Sequence, residues 1–356
     1  MNIPIHHQHY ALPLIADWPG RRQGQLPIRH GWILQAGRGP LRGLGDCAPL
    51  AGSGTESAQE TQAILEQWTR KKFPDPDSLL NEAARCRANF PAASHALECA
   101  ALDILAQEIG KPLRFLLSPG ASNCIEANSI SGTACLDELD TAVAQGFHIV
   151  KIKAGHRPME EEILCLRQLS SRLQPGMRLR LDANGAWDYD TARRFINGLE
   201  GLPIESLEEP LQTGSLEALS RLQEQTPVPL ALDESLGHLH FQEVLDSNIR
   251  RLVLKPTVLG GIRSGFKMAE RARVVGKQCV VTTTLESAIG VHAACQLAAA
   301  VDSLNPGLAH GLATSSWLQK DVASPPVIEA GCLHLSSIPG LGIHERISLP
   351  VQGSLP

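Results

Sequence analysis

The chain has 356 residues, of which 43 % are hydrophobic and 19 % charged, a composition typical of a soluble globular protein with one large or two medium domains. Its net charge of −5 argues against nucleic acid or an anionic membrane as the main partner. We expect neither a signal peptide nor a transmembrane helix, because no basic segment precedes an apolar run and no apolar stretch is long enough to span a bilayer. Nine scattered cysteines without a C-x-x-C pair are typical of reduced thiols in a cytoplasmic protein.

The first part of the chain predicts a small α+β domain over residues 1–118. Residues 30–50 contain two apolar runs around a Gly/Pro-rich turn, which is typical of a hairpin. Apolar residues at helical spacing follow at 56–72 and 91–113, and Gly110 with Pro112 ends the second helix. A last strand-like run begins at Cys332, and from it we expect residues 331–356 to pack back on this domain.

From residue 119 to residue 330 short apolar segments alternate with amphipathic helical ones. This rhythm predicts a (β/α)8-type barrel. A doubly wound parallel sheet is the alternative for the same alternation. The eight predicted strand segments lie at 125–131, 147–154, 177–184, 202–210, 228–235, 249–257, 278–287 and 307–314.

The predicted strand ends carry charged residues at intervals of about one βα unit: Lys153, Asp182, Glu208, Asp233 and Lys255. Side chains at the carboxyl ends of barrel strands converge on one mouth, where active sites lie. Three carboxylates in one place need a cation, and oxygen ligands alone favour Mg²⁺, with Mn²⁺ as a second possibility. Such a metal would hold a substrate carboxylate, and a lysine on either side would exchange a proton with the substrate.

Lys151 and Lys153 alternate with apolar residues, so both ammonium groups face the same side of the strand. Taken singly, these signals are weak, because a K-x-K pair is commonly a solvated face and the acids of DANGAW or EEP commonly cap helices or turns. The repeated register of charged strand ends is what favours a functional site.

These segments resemble the muconate-lactonizing-enzyme subgroup of the enolase superfamily. The matching barrel stretches are VKIKAG, LRLDANGAW, IESLEEPL, LALDESL, LVLKPTVLGG and TTTLESAIGVHAA, and GLGDCAPLAGSGTESAQE and SHALECAALDILAQEIGKPL are similar to the capping domain of that family. The resemblance implies an α/β fold in which a (β/α)8-type barrel carries an N-terminal α+β capping domain. Loops near residues 16–25 and 50–54 would close over the barrel mouth.

The resemblance also implies a role for each charged residue. Lys153 becomes the catalytic acid/base, Lys255 the lysine on the opposite face, and Lys151 a group that binds the substrate carboxylate and lowers the pKa of Lys153. Asn184 and Glu234 would support this first layer of residues. The magnesium ligands would be Asp182, Asp233 and Glu208, the last being the first acid of the pair 208–209.

Within the subgroup, the absence of an acid from the eighth strand segment favours a small-molecule carboxylate without an ammonium group. The seventh segment has no histidine base, and the eighth has no acid of the kind that dipeptide epimerases use. Hydroxyls of Thr284 and Ser287 are candidates for binding a second carboxylate, such as a succinyl tail. The expected reaction is loss of water after removal of an α-proton. Racemisation of N-acylamino acids and lactone cycloisomerisation stay open as alternatives, and the sequence does not indicate an oligomeric state. Asp46 stands where the family usually has glutamate.

Overall fold

The computed structural model describes residues 2–15, 28–130, 132 and 136–343. A three-stranded antiparallel sheet opens the chain, with β1 (Ile5–Pro13), β2 (Ile28–Arg38) and β3 (Leu41–Cys47) in that order. The helices that follow are α1 (Ala58–Arg70), α2 (Pro76–Cys86), α3 (Pro91–Glu108) and the short α4 (Arg114–Leu117). The predicted hairpin and both predicted helices are confirmed. We call β1–β3 with α1–α3 the capping region.

Helix α3 is buried on almost every side, although its sequence predicted a single apolar stripe. The reason is its place between the capping sheet and the barrel. Strand β3 lies directly on this helix. Its glycines permit the close contact, since a Cβ added to Gly43 would lie 1.9 Å from the carbonyl oxygen of Ala100, and one added to Gly45 would lie 1.9 Å from that of Ala96. Both faces of α3 are therefore covered.

Seven parallel strands form the barrel wall, in the order in which they occur in the chain. The short strand β4 (Cys124–Glu126) precedes them. The wall strands are β5 (Ser129–Ile130), β6 (Ile149–Lys153), β7 (Arg178–Asp182), β8 (Ile204–Glu208), β9 (Leu230–Leu232), β10 (Arg251–Leu254) and β11 (Gln278–Val281). Helices of this part are α5 (Leu136–Ala144), α6 (Met159–Ser170), α7 (Tyr189–Gly198), α8 (Leu216–Glu224), α9 (Phe241–Asp246), α10 (Pro256–Leu259), α11 (Ile262–Val274) and α12 (Ala288–Asp302).

The eighth predicted strand is reduced to single bridges that close the wall. His310 pairs in parallel with Ala127 beside β5, and Gly311 pairs with Thr282 after β11. A full ladder does not extend here, because the backbone N–H of Val281 donates to the His310 ring at 2.9 Å instead of to a carbonyl. The closed wall with its capping region confirms the predicted (β/α)8-type architecture.

The chain end returns toward the capping region. Strands β12 (Ile328–Glu329) and β13 (Cys332–His334) form a small antiparallel sheet with β4. The N–H of Leu113 donates to the carbonyl of Gly340 at 2.8 Å, and the N–H of Leu341 donates to Asp103 of α3 at 2.9 Å. The remainder of the predicted segment, 344–356, lies outside the described residues, and the division of the chain near residues 118 and 330 stays a prediction.

Within the described ranges, no helix has both the length and the apolar character needed to cross a membrane.

Candidate metal centre and its flanking lysines

The barrel strands end where the sequence placed the charged series. β6, β7 and β8 end at Lys153, Asp182 and Glu208, and β9 and β10 end one residue before Asp233 and Lys255. Parallel pairing sets Lys153 beside Asp182 and Asp182 beside Glu208. The five side chains therefore share one mouth of the barrel.

The three carboxylates form a compact group that can hold a metal ion. Asp182, Glu208 and Asp233 are buried, and each offers one oxygen within 4.8 Å of the others. We call these three residues the acidic triad. Its donors are all carboxylate oxygens, the set that suits a hard cation such as Mg²⁺ better than Zn²⁺.

The adjacent acid, Glu209, points elsewhere. It follows Glu208 by one residue, its backbone has a positive φ of 39°, and its carboxylate bonds to the segment that begins at Asp233. Glu209 Oε1 accepts hydrogen bonds from the backbone N–H of Asp233 at 2.7 Å and from the Ser235 hydroxyl at 2.6 Å. One acid thus joins the triad, and the next one braces the loop that carries Asp233.

Two lysines approach the triad from one side and a third approaches from the other. Lys151 Nζ lies 2.9 Å from Asp182 and 2.5 Å from Glu208. Lys153 Nζ donates to the same oxygen of Asp182 at 2.8 Å. Across the triad, Lys255 Nζ lies 2.7 Å from Asp233. The shared face of Lys151 and Lys153 is as the strand alternation predicted.

Asn184 and Glu234 connect the two lysine positions. Asn184 Oδ1 accepts from Lys153 Nζ at 2.6 Å, and its amide donates to Glu234 Oε1 at 3.0 Å. Glu234 Oε1 lies 3.7 Å from Lys255 Nζ. The placement suits the supporting role predicted for both residues, which stays a prediction.

Burial and neighbouring charges shift the pKa values of the three triad carboxyl groups in different directions. Burial raises the pKa of both Glu208 and Asp233, and the neighbouring carboxylate of Asp182 adds to this rise in each. Burial also opposes ionisation of Asp182, but Lys151 and Lys153 outweigh it and hold the pKa of Asp182 well below its usual range. A divalent cation would favour the ionised form of all three acids.

The lysines that face the triad also have shifted pKa values. Burial disfavours a charge on Lys151 and Lys255, yet the carboxylates facing them outweigh it and raise the pKa of both groups. Asp233 Oδ1 is buried, and no described residue makes a hydrogen bond of acceptable geometry to it, although Lys255 Nζ lies nearby. A cation that shares the triad's oxygens would weaken their hold on the lysines, so the residues fit a bound Mg²⁺.

A buried ion network below the triad was missed in the sequence. Glu205 lies between two guanidinium groups: Arg180 Nε donates to it at 2.9 Å, and Arg251 Nη1 donates to its other oxygen. Arg180 Nε also lies 3.9 Å from Glu208 Oε1. A signal existed, because Arg180 precedes Asp182 by two residues and must share its face.

The hydroxyls proposed for a substrate tail are bonded within the protein. Thr284 Oγ1 donates to Glu286 at 2.6 Å, and Ser287 Oγ donates to Asp46 at 2.7 Å. Burial raises the pKa of Asp46 to about 7, against the hydrogen bonds from Ser287 and Tyr10. The assignment of Thr284 and Ser287 to substrate binding stays a prediction, and it requires these bonds to be exchanged for substrate bonds.

One predicted closing loop reaches the mouth. Ser53, in the short helical turn Ala51–Ser53, lines a small cavity together with Asp233 and Lys255. Beside it, a cavity of about 460 Å³ is lined by Asn184, Glu234 and the loops that follow β8 and β9. The other predicted loop, at residues 16–25, lies outside the described residues.

Comparison with known proteins identifies the class of protein to which this fold and site belong. The family described as "Enolase C-terminal domain-like" matches residues 134–346, more than half of the chain. The chain therefore belongs to this family of the enolase superfamily of enzymes.

The relatives are consistent with the muconate-lactonizing-enzyme subgroup, as the sequence resemblance implied. The o-succinylbenzoate synthase of Yersinia enterocolitica is 29 % identical over 321 residues, which cover 87 % of this chain and 90 % of that protein. The chloromuconate cycloisomerase of Cupriavidus pinatubonensis is 28 % identical over 310 residues, covering 82 % of this chain and 84 % of that protein. The dipeptide epimerase of Methylococcus capsulatus, solved in complex with a Mg ion, has the same fold with a TM-score of 0.82 and 24 % identity, covering 98 % of this chain and 100 % of that one.

Proposed function

We propose that the protein is an o-succinylbenzoate synthase of menaquinone biosynthesis. In this reaction, 2-succinyl-6-hydroxy-2,4-cyclohexadiene-1-carboxylate loses water and becomes 2-succinylbenzoate. The observation that carries the proposal is the placement of Lys153 and Lys255 on opposite sides of the acidic triad. The o-succinylbenzoate synthases among the relatives support this choice within the subgroup.

Asp182, Glu208 and Asp233 would hold Mg²⁺. When bound, the ion supplies a Lewis acid for the substrate carboxylate and for the negative charge that develops when the α-proton leaves. The lysines then act on a substrate that is held between them, which removes the entropy cost of an encounter with a free base.

Lys153 is the acid/base of the proposed reaction. Its neutral amine takes the proton from the carbon next to the carboxylate, and the electron pair of that C–H bond moves toward the carboxylate. The resulting ammonium returns a proton to the departing hydroxyl on the same face, and water leaves. Both proton transfers use one nitrogen, so the elimination is syn, and the lysine ends in the state in which it began.

Lys255 acts through its charge. As an ammonium group beside Asp233 and Glu234, it would stabilise negative charge from the face opposite Lys153. Lys151, between Asp182 and Glu208, would bind the substrate carboxylate. Asn184 would hold Lys153 in place through its side-chain oxygen.

The test is a spectrophotometric assay of the purified protein with the cyclohexadiene carboxylate. We expect loss of the diene absorbance that requires Mg²⁺ and stops on addition of EDTA. The variant Glu208→Gln should lose this activity, whereas Glu200→Gln, which changes an exposed acid on the loop before β8, should retain it. Absence of turnover by a protein that binds Mg²⁺ would overturn the proposal.

Racemisation of an N-acylamino acid is the second candidate, favoured by the same pair of opposed lysines. It would exchange the α-proton for deuterium in D₂O with inversion. A muconate-type cycloisomerisation uses the same site, and its lactone product would separate it from both.

A further inference from the structure

Two buried charged side chains of the capping region hold one loop of the barrel. Asp46 of β3 accepts hydrogen bonds from the backbone N–H of Ser287 at 2.8 Å and from its hydroxyl at 2.7 Å. Arg29 of β2 donates from Nε to the carbonyl of Leu285 at 2.9 Å. Both charged groups are over nine-tenths buried, and Ser287 has no exposed surface. The loop between β11 and α12 is therefore fixed from outside the barrel.

The loop has a conformation that depends on such contacts. Leu285 has a φ of 67°, a left-handed conformation that is unfavourable for a residue with a Cβ. Helix α12 also lies close to the Asp46 side chain, since a Cβ on Gly290 would be 2.8 Å from Asp46 Oδ2. Arg29 and Asp46 bind the residues on either side of Glu286, so they set the direction of its side chain.

Glu286 carries this constraint to the barrel mouth. Its carboxylate accepts hydrogen bonds from the backbone N–H and the hydroxyl of Thr284, both at 2.6 Å. It also accepts one from the hydroxyl of Thr257 at 2.6 Å. Thr257 lies in α10, the helical turn that begins immediately after Lys255. The hydrogen bonds of Asp46 and Arg29 to Ser287 and Leu285, the backbone that joins these residues to Glu286, and the bond from Thr257 to Glu286 thus connect the capping region to the turn that follows Lys255.

We propose that Asp46 and Arg29 are positioning residues that fix Lys255 relative to the acidic triad through Glu286 and Thr257. The inference rests on the proposed function, in which Lys255 stabilises charge across from Lys153. It gives the capping region a part in the chemistry that is separate from contact with substrate. A simpler role, in which Asp46 only anchors the capping region to the barrel, predicts different results.

The test compares Asp46→Ala with Tyr10→Phe. Asp46→Ala removes both carboxylate oxygens, so the two bonds to Ser287 are lost. Tyr10→Phe removes the bond of 2.9 Å to the other oxygen of Asp46 and leaves the loop bonds in place. We expect Asp46→Ala to lower kcat about tenfold with KM changed less than about twofold, because a misplaced charge loses transition-state stabilisation. Tyr10→Phe should keep the wild-type kcat.

Hydrogen exchange followed by mass spectrometry gives a readout that does not need turnover. In the Asp46→Ala protein, amides in 284–291 and also in the turn 256–262 should exchange faster than in the wild type. Faster exchange confined to 284–291, with kcat unchanged, would overturn the inference. If the wild type does not turn over the cyclohexadiene carboxylate, the proposed function fails, and the exchange in 256–262 still decides whether Asp46 positions the Lys255 turn.

Two further variants, Ser287→Ala and Thr257→Val, test the same path independently. Ser287→Ala removes only the hydroxyl bond to Asp46, so it tests the same path if Asp46→Ala does not fold. It should lower kcat rather than raise KM, whereas loss of a direct contact to a substrate tail would raise KM. In a double-mutant cycle that combines Ser287→Ala with Thr257→Val, the effects of the two substitutions on kcat should be less than additive if one path joins Asp46 and Thr257. Additive effects would contradict the path.

Discussion

Replacing Glu205 with glutamine removes the only acid that the described residues place between Arg180 and Arg251. Burial alone would raise the pKa of Glu205, but the two arginines outweigh it and lower that pKa from 4.5 to about 2. A shift of this size corresponds to about 3 kcal/mol of stability. Because the folded-state pKa is lowered, this contribution is complete above pH 4.5 and is lost as the pH falls toward 2. Removal of one partner from a buried ion network typically costs about 3–5 kcal/mol, a range that agrees with this value.

The assay is urea unfolding followed by circular dichroism at pH 7. Glu205→Gln should unfold at a clearly lower urea concentration than the wild type, and Glu200→Gln, which alters an exposed acid, should unfold with the wild type. Arg180, freed from Glu205, would also pair more closely with Glu208, now 3.9 Å away, so the affinity for Mg²⁺ should fall as well. An unfolding free energy for Glu205→Gln within about 0.5 kcal/mol of the wild type, typical of a surface change, would refute this reasoning.

Three other predictions follow from the same contacts. Lys153→Arg should be inactive, because a guanidinium does not release its proton, whereas Lys255→Arg should keep measurable turnover, because only a charge is needed there; equal loss in both would contradict the assigned roles. Glu208→Gln should weaken Mg²⁺ binding in calorimetry more than Glu209→Gln, since only Glu208 joins the triad. Burial lowers the pKa of His95 to about 4 from 6.5, so its contribution to stability is complete above pH 6.5 and is lost as the pH falls toward 4; His95→Leu should unfold with a weaker dependence on pH across this window, and an unchanged dependence would be the contrary result.

Much of the candidate site follows from the sequence because barrel geometry is repetitive. A charged residue at the end of each strand, one βα unit after the last, can only meet its counterparts at one mouth. The alternation within β6 likewise places Lys151 and Lys153 on one face, and both contact Asp182. The closed wall also follows from this rhythm, whereas the reduction of the eighth strand depends on the His310 side chain taking a backbone partner.

The parts that the sequence did not reveal depend on contacts between distant residues. The position of Arg180 gives a sign of a buried charge, but the partners of Glu205 are arginines on two other strands, and the spacing of residues does not identify them. Asp46 is separated from Ser287 by most of the chain. The direction of the Ser287 hydroxyl depends on that packing. Its assignment to a substrate tail therefore had only the residue type as its basis.

The measurement that tests the central claim most directly is the initial rate of diene loss for the wild type and Lys153→Ala at saturating Mg²⁺, with Mg²⁺ binding measured on the same samples. We expect rapid turnover by the wild type and none above background by Lys153→Ala, with equal binding of the ion by both. Turnover by Lys153→Ala at a rate near that of the wild type would show that Lys153 is not the acid/base of this site.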